Sequence, residues 1–184
     1  TEFILLSKNN IAVNMGDYFD SFIPDSLSTQ ILIFKTFVQL KLTYPEQVVL
    51  LWGNHDIQYY QAFNPSLQAM CAGFQNVAKY QISDEIRFAF ESAKDKGIDN
   101  LIQFAYFHKG NSGDNSIMFS HAGITKAMLK SISLNKNSVL KPENLEYFNQ
   151  LHKQHNFAGK VNQGRDSFSG TLWARPSELE ADNP

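Results

Sequence analysis

Three observations predict a layered α/β fold for this chain. Short apolar runs end abruptly in glycine and polar residues, helical spacing fills the intervals between them, and no internal repeat or low-complexity tract interrupts the alternation. The runs are residues 11–15 before Gly16-Asp17, 48–52 before Gly53-Asn54-His55-Asp56, and 117–120 before His121-Ala122-Gly123. Runs this short, bounded by turn residues, read as strands buried on both faces. A fourth run, 102–107, precedes the third across 109–115, whose Gly, Asn, Ser and Asp residues suit a hairpin loop.

The helices follow from capping and spacing. Asp25 or Ser26 can cap a helix over 27–42, with Ile31, Phe34, Val38 and Lys41 or Leu42 on one face, and Pro45 stops it. A second helix is expected over 66–80. A third is expected from Ser83-Asp84-Glu85 to Gly97, and shorter ones over 125–130 and 143–152. The stretch 156–168, rich in Gly, Asn and Gln, reads as a loop, and the polar tail after Pro176 as exposed.

With 184 residues the chain fits a single domain, 1–184, with a sizeable core. Fifteen phenylalanines make that core aromatic-rich. A net charge of -2 argues against a broad basic surface for nucleic acid. No apolar run reaches the length of a membrane span, so no membrane partner is expected. The single cysteine, Cys71, between Met70 and Ala72, excludes an intrachain disulfide and reads as a small buried residue. A cytoplasmic location is the default for a chain of this kind.

The chemistry lies at the strand ends, where layered α/β folds bind ligands. Here an Asp, an Asn-His-Asp and a His occupy three such ends, each beside a glycine that lets the backbone turn tightly. Oxygen donors and imidazole together suit divalent cations such as Mn, Fe or Zn. Gly53-Asn54-His55-Asp56 is the most specific signal: at ~5% per residue type, roughly one chain in a thousand of this length carries it by chance.

In order along the chain, Gly16-Asp17-Tyr18-Phe19-Asp20, Gly53-Asn54-His55-Asp56 and Ser120-His121-Ala122-Gly123 resemble three signature motifs of the calcineurin-like metallophosphoesterases, and more narrowly of their phosphoprotein-phosphatase branch. The hairpin before His121 and the segment Leu172-Trp173-Ala174-Arg175-Pro176 are similar to that branch as well, so the resemblance spans about residues 11–176. It implies a sandwich of mixed β-sheets flanked by helices and a site with two divalent metal ions. Asp17 would bridge the metals, Asn54 would bind the second metal and the phosphate, and His121 would bind that same metal. His55 would not be a ligand but the general acid for the leaving alkoxide, held and kept protonated by Asp20. The metals would activate a bridging water for in-line attack, with no covalent phosphoenzyme.

The sequence departs from the branch in several places. The resemblance implies an Asp-x-His motif ahead of Asp17 and a Gly-His motif after the last residue; neither is present, so a fragment lacking its N-terminal strand and C-terminal part is expected. Ser21 stands where the branch has a phosphate-binding Arg, and Asp56 replaces a Glu. Among the three arginines, Arg175 is the first choice for a phosphate contact and Arg165 the second. His108, His152 and His155 read as structural or surface histidines, and Tyr59, Tyr60 and Phe63 as packing residues rather than a cleft lining. The expected activity is phosphomonoester hydrolysis on a phosphorylated protein or small molecule. The alternatives are a dinucleoside polyphosphate hydrolase, a phosphodiesterase, and a phospho-ligand binding module without turnover.

Overall fold

A computed structural model describes residues 7–21, 26–109, 116–123 and Leu172. The chain divides into two compact units, Thr1–Gln103 and Phe104–Pro184.

In the first unit, β1 (Ala12–Asn14) pairs in parallel with β2 (Val48–Leu50), Ala12 opposite Val48 and Asn14 opposite Leu50. Past β2, Leu51 bridges in parallel to Gln103, whose carbonyl accepts the Trp52 N–H at 2.8 Å. This places β2 between two neighbours and accounts for its complete burial, whereas β1 is only half-buried. Burial on both faces, expected of all three runs, holds for β2 alone. Because the pairing is parallel, the carboxyl ends of β1 and β2 lie at the same edge, and the Gly-Asp and Gly-Asn-His-Asp stretches emerge side by side.

Between these strands runs α1 (Leu27–Thr43), which starts where the capping argument put it: the Ser26 Oγ accepts the Thr29 N–H at 3.2 Å. Asp25 lies outside the described residues. The helix buries Gln30, Ile31, Phe34, Val38 and Lys41, the helical stripe read from the sequence with Gln30 added. After β2 comes one short turn, α2 (Asn54–Ile57), which the sequence reading did not anticipate. The next long helix, α3 (Lys79–Asp95), buries Ile82, Ser83, Ile86, Ala89 and Ala93 and ends before Gly97 as expected. Lys35 of α1 and Glu85 of α3 pair at 2.9 Å.

The helix expected over 66–80 does not form, and α3 begins at Lys79 rather than near Ser83. Side chains claim the backbone of that segment instead. The Gln58 Oε1 accepts the N–H groups of Met70 and Cys71, and the Asn64 amide donates to the Gln58 and Gln68 carbonyls. Leu67 has a left-handed φ of 45°, which breaks helical continuity there. The apolar residues that suggested a helix are used piecemeal: Leu67 is buried, while Val77 is exposed.

The core of this unit gathers Leu50, Leu51, Trp52, Ile57, Ile82 and Ile86. Trp52, Tyr60 and Phe90 stack with centroids 4.9–5.9 Å apart, and Tyr60 and Phe63 meet at 5.2 Å, so these aromatics serve packing. Tyr18 packs edge-on against Phe34 at 5.5 Å, and its buried hydroxyl has no hydrogen-bond partner among the described residues. Tyr18→Phe is therefore expected to raise stability by about 1 kcal/mol, because it removes a desolvated hydroxyl and keeps the ring. Urea unfolding measures this; a loss of that size instead would mean the hydroxyl is bonded.

In the second unit, β3 (Ala105–Lys109) and β4 (Ser116–Ser120) form an antiparallel pair, Ala105 opposite Ser120 and Lys109 opposite Ser116. The hairpin read from the sequence is present, with β3 displaced toward Lys109 relative to the 102–107 run. The expected helices over 125–130 and 143–152, the loop over 156–168 and the tail after Pro176 lie outside the described residues. Among the described residues no helix is long and apolar enough to cross a membrane.

Candidate active site

The site is assembled where the loops after β1 and β2 meet. They come so close that neither tolerates a side chain at its glycine. A Cβ on Gly16, whose φ is 90°, would stand 2.7 Å from the Trp52 carbonyl carbon and closer still to the Gly53 nitrogen. A Cβ on Gly53 would strike the Asp17 carboxylate and backbone nitrogen. Asp17 and Asp20 both adopt left-handed backbone, φ 59° and 60°, a conformation that Asp accepts more readily than most residues.

Asp56 locks the two loops together. It is completely buried, and its two oxygens accept four backbone N–H groups. Oδ1 takes Tyr18 at 2.7 Å and Phe19 at 3.3 Å; Oδ2 takes Asp17 at 2.7 Å and Gly53 at 2.9 Å. Burial first, and then the Asp17 charge, push its pKa up to about 7, while the N–H donors of Gly53, Asp17 and Tyr18 oppose the rise. In the sequence Asp56 reads as the last residue of the Gly53-Asn54-His55-Asp56 motif, in place of a Glu, with no role of its own. Its signal was there, a carboxylate three residues after a turn glycine, but three of its four targets lie 37–39 residues away in the chain.

Asp17 is exposed at the edge of this clamp, with its Oδ1 accepting the His55 N–H at 3.3 Å. Asn54 is half-buried at the start of α2. The Cys71 thiol donates to the Asn54 carbonyl at 3.1 Å; burial pushes its pKa up to about 12, which makes it a poor thiolate source. His55 is buried, and its Nδ1 faces the Asp20 Oδ2 at 3.4 Å. The bond to Asp20 raises the His55 pKa most; burial opposes this, and the charges of Asp17, Asp20 and Asp56 add to the rise.

Asp17, Asp20, Asn54, His55 and Asp56 are thus brought together at one strand edge of the first unit. A profile of the family described as calcineurin-like phosphoesterase matches residues 2–171. The chain belongs to that family. Searches of curated proteins and of solved structures returned no match. Membership in the calcineurin-like phosphoesterases carries metal-dependent phosphoester hydrolysis with it, and the mixed α/β architecture of small parallel and antiparallel sheets agrees.

His121 is half-buried directly after β4, in the second unit, and Arg175 and Arg165 lie outside the described residues. Among the described residues no group of three His, Cys, Asp or Glu side chains is placed to hold a metal ion. The exposed Asp17 carboxylate and the Asn54 amide fit a hard divalent cation as oxygen donors, and so fit part of a ligand set. Of the residues around Asp20, Gln58 and Gln75 carry no signal in the sequence, and Tyr59, expected there as a packing residue, also donates its hydroxyl to Asp20.

Proposed function

We propose that this calcineurin-like phosphoesterase is a phosphomonoesterase of the protein-phosphatase branch, in which His55 protonates the leaving alkoxide and Asp20 holds His55 for that task. The observation that carries this reading is the buried His55–Asp20 pair beside the exposed Asp17 carboxylate. With Nδ1 engaged by Asp20, the transferable proton sits on Nε2, the arrangement a general acid needs.

In the same proposal, Asp17 and Asn54 hold metal ions, Asn54 also contacts the phosphate, and the motif resemblance adds His121 as a ligand and Arg175 as a phosphate contact. Two divalent cations, Mn, Fe or Zn, would supply charge stabilisation for the phosphoryl group and a nucleophile from water. The chain's own residues do the rest: Asp17 presents its carboxylate, the Asp56 clamp keeps the two loops in contact, and His55 delivers the proton to the departing oxygen. The substrate is a phosphorylated protein or small molecule, and the location cytoplasmic.

Ser21, in place of the branch's phosphate-binding arginine, argues against strict activity on phosphoserine proteins, and hydrolysis of a dinucleoside polyphosphate or a phosphodiester is the second reading. A phosphopeptide, a dinucleoside polyphosphate and a cyclic nucleotide, each offered with Mn, separate the possibilities. The proposal expects turnover of the phosphopeptide or another monoester above the other two. Preference for the dinucleotide or the cyclic nucleotide would establish the second reading. Binding of the phosphopeptide with no hydrolysis of any of the three would replace both with a non-catalytic module.

A further inference from the structure

We propose that Gln58, Tyr59 and Gln75 are positioning residues for proton donation, acting through Asp20; this rests on the reading of His55 as the general acid. Asp20 is buried, and both of its oxygens are filled by neutral donors before the imidazole is counted. Oδ1 accepts from the Tyr59 hydroxyl at 2.6 Å and the Gln75 Nε2 at 3.1 Å. Oδ2 accepts from the Gln58 Nε2 and faces the His55 Nδ1 at 3.4 Å. A carboxylate held at one oxygen can swing about its Cβ–Cγ bond. One held at both cannot, and the imidazole bonded to it is aimed by the same constraint.

Each of the three donors is itself fixed. The Gln58 Oε1 accepts the Met70 and Cys71 N–H groups at 3.2 and 3.1 Å. The Tyr59 oxygen accepts the Gln75 N–H at 2.6 Å, and its ring stacks on Phe74 at 4.9 Å. The Gln75 Nε2 also donates to the Gln30 Oε1 at 3.0 Å, and that oxygen accepts the Asp20 N–H at 3.0 Å, which closes the net on itself. Gly73 lies against the carboxylate, close enough that a Cβ there would stand 3.4 Å from the Asp20 Cβ. The irregular stretch from Met70 to Gln75 is therefore a cap over Asp20.

The chemistry of the net points to the acid. All three donors are neutral, so they fix the carboxylate's position without cancelling its charge, and that charge remains available to an imidazolium.

The test uses the Mn-loaded full chain and two phosphomonoesters, an alkyl phosphate and dinitrophenyl phosphate. An alkoxide needs a proton to depart; a dinitrophenolate does not. Tyr59→Phe and Gln75→Met are each expected to lower kcat on the alkyl ester about tenfold with KM unchanged, and on the dinitrophenyl ester less than twofold. The His55 Nδ1–H proton resonance, read in the protein as purified, is expected to shift upfield in each variant. Combining either change with His55→Asn should add no further loss. Equal losses on both esters, or no loss, overturn the inference. If His55→Asn spares the dinitrophenyl ester but the two variants do not, the inference alone fails. If His55→Asn slows both esters equally, the acid reading falls and this inference with it. Gln75→Met leaves the Tyr59–Asp20 bond intact, so it carries the test should Tyr59→Phe not fold.

Discussion

His55→Asn is expected to lower kcat on an alkyl phosphomonoester by a factor on the order of 100 or more while the metal content stays at the wild-type level. Asparagine can occupy the same buried space and present an amide to Asp20, so the loop geometry survives. What it lacks is an acidic proton that can move to an oxygen in the transition state. The raised pKa of His55 has a definite sign: the imidazolium, the form that can act as acid, persists above the ordinary histidine range. Activity should therefore persist to higher pH than an ordinary histidine would allow and fall as the pH rises through the folded-state pKa. Asp20→Asn removes the largest cause of that shift and should bring the alkaline fall to lower pH. Pre-steady-state and steady-state assays give the rates, and elemental analysis gives the metal. Metal lost in step with activity would make His55 a ligand rather than an acid.

The positions of the two motif loops are legible in the sequence because strand ends announce themselves. Two apolar runs break into Gly-Asp and Gly-Asn-His-Asp, and parallel pairing of Ala12–Asn14 with Val48–Leu50 turns those separate breaks into one edge. The first helix was legible for a similar local reason: its cap, Ser26, bonds within its own first turn. The cap over Asp20 was not legible. Leu67, Met70, Cys71 and Phe74 fall at helical spacing, yet Gln58 and Asn64 take hold of that segment through side-chain bonds that periodicity does not encode. The same holds for Asp56, whose role depends on partners in another loop. Residue types that do local work can be read from spacing. Those whose work is to join distant backbone groups become visible only when the groups are side by side.

Asp56→Asn, a change of one atom, is expected to cost about 3 kcal/mol or more, a large share of the roughly 5–15 kcal/mol that holds an ordinary domain together. The reason is the even division of donors. Tyr18 and Phe19 point at one carboxylate oxygen, Asp17 and Gly53 at the other. An amide has only one oxygen, so whichever way it flips, its NH2 group confronts a pair of N–H donors. The residue is fully buried, so water cannot relieve the conflict. The damage falls on the contact between the two motif loops, where Gly16 and Gly53 already leave no spare room. Activity should thus be lost together with stability, unlike in His55→Asn, where the fold is retained. A urea midpoint lowered by the corresponding amount, with loss of Mn-dependent turnover, is the expected result. A variant that unfolds at the wild-type midpoint would show that the four N–H groups do not depend on this carboxylate, and that something other than Asp56 holds the loops in register.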